Sequence, residues 1–217
     1  MKISLDIKIN KVIRYLILSD VIFWLGWGLI SPIFAVFVVE KIKGGTVAVV
    51  GVAAAIYWIL KSLLRIPIGI FLDNRKGEED DFWFLFFGLI ITALVPFGYL
   101  MAFSPWHIYF LQVIFAFGMA MTLSGWTAIF TRHIDKGKEA TEWGIYGTST
   151  GLAIGIAGAL GGLVAAVFGF DFLFISVGIL GILAAFILLS VLKLLSPRAV
   201  DKGMTFSLKE LFQKEKK

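Results

Sequence analysis

Cysteine is absent from the chain, and histidine occurs only at His107 and His133. The first absence removes disulfides, thiolate metal sites and cysteine nucleophiles together. The second leaves little from which to build a catalytic or metal-binding constellation. His133, Asp135, Glu139 and Glu142 lie near one another, but they read better as a solvated loop than as a metal site. With no Ser/His/Asp arrangement and no nucleotide-binding loop, neither an enzyme activity nor a cofactor is expected. Charge is scarce too. Only 16% of the 217 residues are charged, against about 25% in an average soluble domain. The net charge of +5 does not point to nucleic acid, because the basic residues cluster at the ends of apolar runs, where they orient a chain in a bilayer.

Apolar residues are abundant: 59% of the chain, against about 45–50% in soluble domains. A spanning helix needs about 20 apolar residues, and the runs between charged or turn-rich breaks give six. They cover about Val12 to Val39, Thr46 to Leu72, Phe82 to Phe103, Trp106 to Thr131, Thr141 to Phe168, and Phe172 to Leu195. The fold class expected is therefore all-α integral membrane, with residues 1–200 as one six-helix domain. The first run is longer than the roughly 7–15 apolar residues of a signal peptide and is expected to span. Gly26, Gly28 and Pro32 mark where it can bend, and Gly169-Phe170-Asp171 a tight turn between the fifth and sixth spans. Residues 201–217 form a basic tail, in which Phe206 to Phe212 reads as a short interfacial helix with Ser207 and Glu210 at capping-box spacing.

Lys and Arg set the orientation. Sixteen of the 20 lie on one side of the six spans, and only Lys41 and Lys43 on the other. The positive-inside rule then puts both termini in the cytoplasm of a cell, plasma or inner, membrane.

Three ionic residues stand apart. Asp20, Lys61 and Arg65 lie inside the first and second apolar runs. A charge inside a bilayer-length helix is costly, so it normally faces a partner or a water-filled cavity. Asp20, Trp24, Trp27 and Ser31 share one face of the first span, Tyr57, Lys61 and Arg65 one face of the second, and Gln112, Met119, Thr122 and Trp126 one face of the fourth. Asp20, Trp24, Trp27, Lys61, Arg65, Gln112 and Trp126 are therefore the candidate solute and proton path. At about 1.5 Å per residue, Asp20 lies roughly 9 Å past Arg14, and Arg65 roughly 12 Å before Asp73. The two fall at similar depths, so Asp20 is expected to pair with Arg65, Lys61 or both, either as a static clamp or as a proton-responsive switch. The fifth span differs: Gly151, Gly155, Gly158 and Gly162 repeat at a spacing that allows close helix approach, a packing seam.

The segment Gly69-Ile-Phe-Leu-Asp73-Asn-Arg75-Lys76-Gly77 resembles the signature loop of the major facilitator superfamily, G-x-x-x-D followed by basic residues around a glycine. The glycine-rich fifth span, the turn at Gly169 to Phe174, and the tail Phe206 to Phe212 resemble the superfamily's corresponding segments. The likeness covers essentially the whole chain, in the order of an amino-terminal half. Glu78 to Asp81 depart from it by replacing basic residues, and Gln112 stands where an Arg is common. The resemblance implies half of a major-facilitator fold, made of two inverted three-helix repeats. It implies a secondary transporter of a small organic solute, with proton coupling an open expectation and Gly69, Asp73, Arg75 and Gly77 as a cytoplasmic gate loop. A parallel homodimer in the lipid bilayer would rebuild the twelve-helix plan. The alternatives are a non-transporting scaffold, a partner subunit, or one half of a longer transporter.

Overall fold

The computed structural model describes residues 9–75 and 77–195, so the expected tail helix at Phe206 to Phe212, the domain boundary near residue 200 and Lys76 lie outside the described residues. Among the described residues six helices follow one another: α1 (Lys11–Ile30), α2 (Phe34–Lys41), α3 (Val47–Asp73), α4 (Glu79–Tyr99), α5 (Pro105–His133) and α6 (Glu139–Leu195). All but α2 are long and apolar enough to cross a membrane. Among the described residues there is no strand.

Local chemistry sets the helix ends. The Asn10 side chain accepts from the Val12 N–H at 2.9 Å, and Thr46 from the Val49 N–H at 3.3 Å, each satisfying an N–H that the first helical turn leaves unpaired. Pro105 opens α5, a position where its missing N–H costs nothing. The first apolar run, expected as one bendable span, is two helices. The break falls at Ser31–Ile33, where Pro32 cannot donate to the helix ladder.

The 57-residue α6 contains one non-helical residue, Gly169, at φ 83° and ψ 169°, a backbone conformation that side chains with a Cβ rarely adopt. Contacts along α1 give the consequence. Passing up α1, the first arm of α6 is met in ascending order: Asp20 faces Tyr146, Gly28 faces Ala157, and Leu29 faces Gly161. The second arm is met in descending order, with Ser19 bonded to Ala184 and Gly26 against Val177. The two arms therefore run in opposite directions, folded back at Gly169 as the sequence predicts.

Helix α1 packs on both arms of α6, α5 packs on α3 and α4, and α4 packs on α6. Small residues allow these close approaches. A Cβ added to Gly28 would stand 2.8 Å from the Ala157 methyl, and one on Gly88 would stand 2.6 Å from the Thr122 backbone nitrogen. Gly161 lies directly against the Leu29 backbone. The seam used inside the chain is thus Ala153, Ala157 and Gly161, all buried. Of the expected seam, Gly158 only grazes the Gly28 carbonyl at 3.9 Å, and Gly162 only the Ile33 side chain at 4.0 Å. A Cβ on Gly151 or Gly155 would meet nothing within 4 Å.

Helix α3 is the exception in burial. Only Val49, Ala53, Lys61 and Leu72 are buried along it, while Trp58, Ile59, Leu63, Ile66 and Ile70 stand exposed. The first arm of α6 likewise exposes Leu152, Ile156, Leu160, Leu163 and Val167.

The two glycine faces separate in a stability test. Gly161→Leu is expected to destabilise the chain by about 1–3 kcal/mol through overpacking, read as a lower thermal-unfolding midpoint in detergent. Gly155→Leu should leave the midpoint of the monomer nearly unchanged.

Candidate solute path and gate loop

Two aromatic assemblies and one cleft gather the candidate residues. In the first assembly Asp20, 8% exposed, faces the Tyr146 hydroxyl on α6, which also lies beside Trp24. Trp126, 4% exposed, lies against Tyr146 with ring centres 4.6 Å apart and stacks on Phe130 at 4.5 Å. The Trp126 indole N–H is buried with no hydrogen-bond partner among the described residues, a state that costs free energy unless something binds there.

The second assembly is a stack. Phe115 on α5 stacks on Trp27 of α1 at 4.1 Å and on Tyr57 of α3 at 4.5 Å, tying three helices together. The Trp27 indole N–H is also buried with no hydrogen-bond partner among the described residues. Tyr57 continues the chain of contacts to Lys61, whose ammonium donates to the Tyr57 hydroxyl at 3.3 Å. That ammonium also stands 3.3 Å from the centre of the Trp58 ring and 4.5 Å from the centre of the Tyr57 ring. Lys61 is only 6% exposed, so its charge is held by a hydroxyl and two π-faces.

The expected pairing of Asp20 with Lys61 or Arg65 is not present: among the described residues Asp20 forms an ion pair with neither. The reason is packing: α1 packs on α6 while α3 packs on α5. The Phe115 ring stands between the helices that carry the opposite charges. Gln112 also differs in role. Its side-chain amide donates to the Tyr99 hydroxyl at 3.1 Å, within the buried cluster of Phe37, Tyr99 and Phe174, so it ties α5 to α4.

Toward the charged end of the bundle, α3 and α5 enclose a cleft of about 360 Å³ lined by Arg65, Gly69, Asp73, Ser124, Thr127, Thr131 and Arg132, among others. Ser124, Thr127 and Thr131 were not singled out from sequence. Their 3-4 spacing places them on one face of α5, the signal that would have found them.

The segment expected as a gate loop follows. Gly69 and Asp73 line the cleft. The Arg75 guanidinium sits 4.6 Å over the Phe71 ring and 3.9 Å from Asp80. Gly77 has φ 120°, which explains the glycine there. The acidic run Glu78 to Asp81 is structural. Asp81, 1% exposed, is ion-paired with Arg132 at the end of α5, and Glu78 lies 3.7 Å from His133. Asp73 and Glu78 also attract the Arg132 guanidinium. Glu142, expected in a solvated loop, is buried instead, and its carboxylate accepts from the Asp135 N–H at 3.3 Å.

A family model described as Major Facilitator Superfamily matches residues 16–214. The chain belongs to the major facilitator superfamily. No curated protein and no solved structure matches it. Membership, with its long apolar helices, makes the chain a multi-pass protein of a transporter family. Its 217 residues accord with the size of half a transporter. The segment that resembles the superfamily's signature loop joins α3 to the buried Asp81–Arg132 pair.

That pair separates from its neighbour by burial. Arg132→Gln is expected to destabilise the chain by about 2 kcal/mol, because it leaves the Asp81 carboxylate buried without its counterion, though Arg132 itself keeps some solvent. Arg75→Gln removes a solvent-exposed pair and should cost about 0–1 kcal/mol. Unfolding by mild denaturing detergent distinguishes the two.

Proposed function

We propose that the chain is half of a secondary active transporter that moves a small organic solute by alternating access, working as a parallel homodimer in the plasma or inner membrane. In this reading it crosses the bilayer six times. The crossings are α1 with α2, then α3, α4, α5 and the two arms of α6, and both termini are cytoplasmic. The packing supports two inverted triplets, because the exchange is crosswise. The first crossing packs on the fifth and sixth, and the fourth crossing packs on the second and third.

The observation that carries the proposal is the pair of cations on α3. Lys61 and Arg65 lie in mid-helix on the least covered helix of the bundle, with no carboxylate among the described residues paired with either. Facing acyl chains, such charges are expensive. Covered by a second copy across a water-filled chamber, they are not. The open backbone at Gly151 and Gly155 gives the partner a place for close approach. The two halves then rock about a mid-membrane site lined by Asp20, Trp24, Trp27, Lys61 and Trp126, with Gly69, Asp73, Arg75 and Gly77 latching the cytoplasmic side. Asp20, held by the neutral Tyr146 instead of a cation, is the carboxylate a coupling proton would neutralise.

The native chain has no cysteine, so a single Gly155→Cys substitution reports one contact. It is expected to form a disulfide-linked dimer in native membranes, while Leu183→Cys on the second arm of α6 should not. In proteoliposomes, solute uptake should respond to a pH gradient in the wild type, and Asp20→Asn should abolish that response. A monomer that shows no flux over a broad solute panel would instead indicate a non-transporting partner subunit.

A further inference from the structure

The cleft between α3 and α5 contains a charge, Arg65, that no carboxylate among the described residues neutralises. Near the charged end of the bundle, Arg75 is paired with Asp80, Arg132 with Asp81, and Lys138 with Asp135. Arg65 has no carboxylate within ion-pair distance among the described residues. Its nearest ionic neighbour on the helix is Lys61, one turn away, whose like charge acts on it directly. Like charges at that spacing disfavour each other, and nothing on α5 relieves them. Lys61 is held by neutral groups, so the excess positive charge remains beside the cleft.

The wall opposite Arg65 suits an anion. Ser124, Thr127 and Thr131 bring three hydroxyls to the same cleft. The Thr127 hydroxyl donates to the Leu123 carbonyl at 2.6 Å, so its hydrogen is committed. Ser124 and Thr131 have no hydrogen bond among the described residues and are free to donate. A planar guanidinium with hydroxyl donors across from it recognises oxygen anions in preference to halide or neutral groups. The volume, about 360 Å³, admits a small organic molecule. Asp73 lies at the end of the cleft roughly 12 Å along the helix from Arg65, too distant to neutralise it.

We infer that this cleft binds an oxyanion, a carboxylate or phosphate group seated on Arg65 with Ser124 as its hydroxyl partner, Thr131 standing about two turns farther along α5. The inference deepens the transporter reading, and rests on it where the oxyanion belongs to the transported solute. The same chemistry is offered by a lipid headgroup phosphate.

The full chain in phosphatidylcholine nanodiscs tests this, titrated with succinate and with inorganic phosphate at constant ionic strength and followed by calorimetry. Saturable binding of at least one probe is expected. Arg65→Gln should weaken it at least tenfold, Arg65→Lys less, and Ser124→Ala a few-fold, a graded series that a folding defect would not produce. Native mass spectrometry from phosphatidylglycerol nanodiscs forms the lipid arm. Anionic lipid retained by the wild type, lost in Arg65→Gln and displaced by neither probe, identifies the oxyanion as a headgroup. If neither probe nor lipid binds in an Arg65-dependent way, the inference is overturned. Arg65-dependent binding without flux leaves the site standing and removes the transporter reading. Flux of a neutral or cationic solute that Arg65→Gln does not alter, with no Arg65-dependent binding of probe or lipid, removes the oxyanion site and leaves transport intact.

Discussion

Two positive charges one helical turn apart, on the helix with the least protein around it, constrain this molecule more than any other feature. Apolar exposure alone carries no message in a membrane protein, because lipid tails are as apolar as leucine. An exposed Arg65 beside a buried Lys61, inside a 27-residue apolar helix, does carry one. The helix needs water, an anion or another chain at that height. Arg65 lines the cleft along α5, and the stack of Trp27, Phe115 and Tyr57 joins α3 to α5 and α1.

The rest of the bundle is built to hold that edge steady. Small residues bring α1 against both arms of α6 and α4 against α5, at distances that leave no room for a Cβ at Gly28, Gly88 or Gly161. Without a hydrophobic driving force between helices in lipid, such close packing and a few interhelical hydrogen bonds must supply the cohesion. Ser19 to Ala184 and Gln112 to Tyr99 are two of those bonds. At the charged end, the Asp81–Arg132 pair fastens α4 to α5. Helix α3 is left joined to the bundle mainly through α5.

The spans were legible in the sequence because lipid imposes a length of about 20 apolar residues. Pro32 and Gly169 were legible because each leaves the helical backbone few options. Neighbour relations were not. Periodicity gave Asp20 and Arg65 a face and a depth, but not the helix each face meets, so the carboxylate that matched Arg65 in height turned out to face Tyr146. The glycine spacing was ambiguous in the same way. Both sides of the fifth span carry small residues, and the side used within the chain is Ala153, Ala157 and Gly161. Gln112 fitted a polar stripe, yet its amide is committed to Tyr99. Asp81 looked like one acid among four and is the buried one. A side chain's partner on another helix leaves no trace in local spacing.

The most direct measurement is the water accessibility of the α3 face. Ser62 lines a second opening beside Arg65, together with Ile66, whereas Leu63, one residue on, is turned away from it and 65% exposed. A cysteine attacks an aqueous reagent as its thiolate, which forms in water and not in acyl chains. Ser62→Cys and Thr127→Cys, each the sole cysteine of its variant, should react in intact membranes with a charged, membrane-impermeant methanethiosulfonate, and Leu63→Cys should resist it. Equal resistance at all three positions would mean that Arg65 stands in lipid or dry protein, with no wet chamber on this side of the bundle.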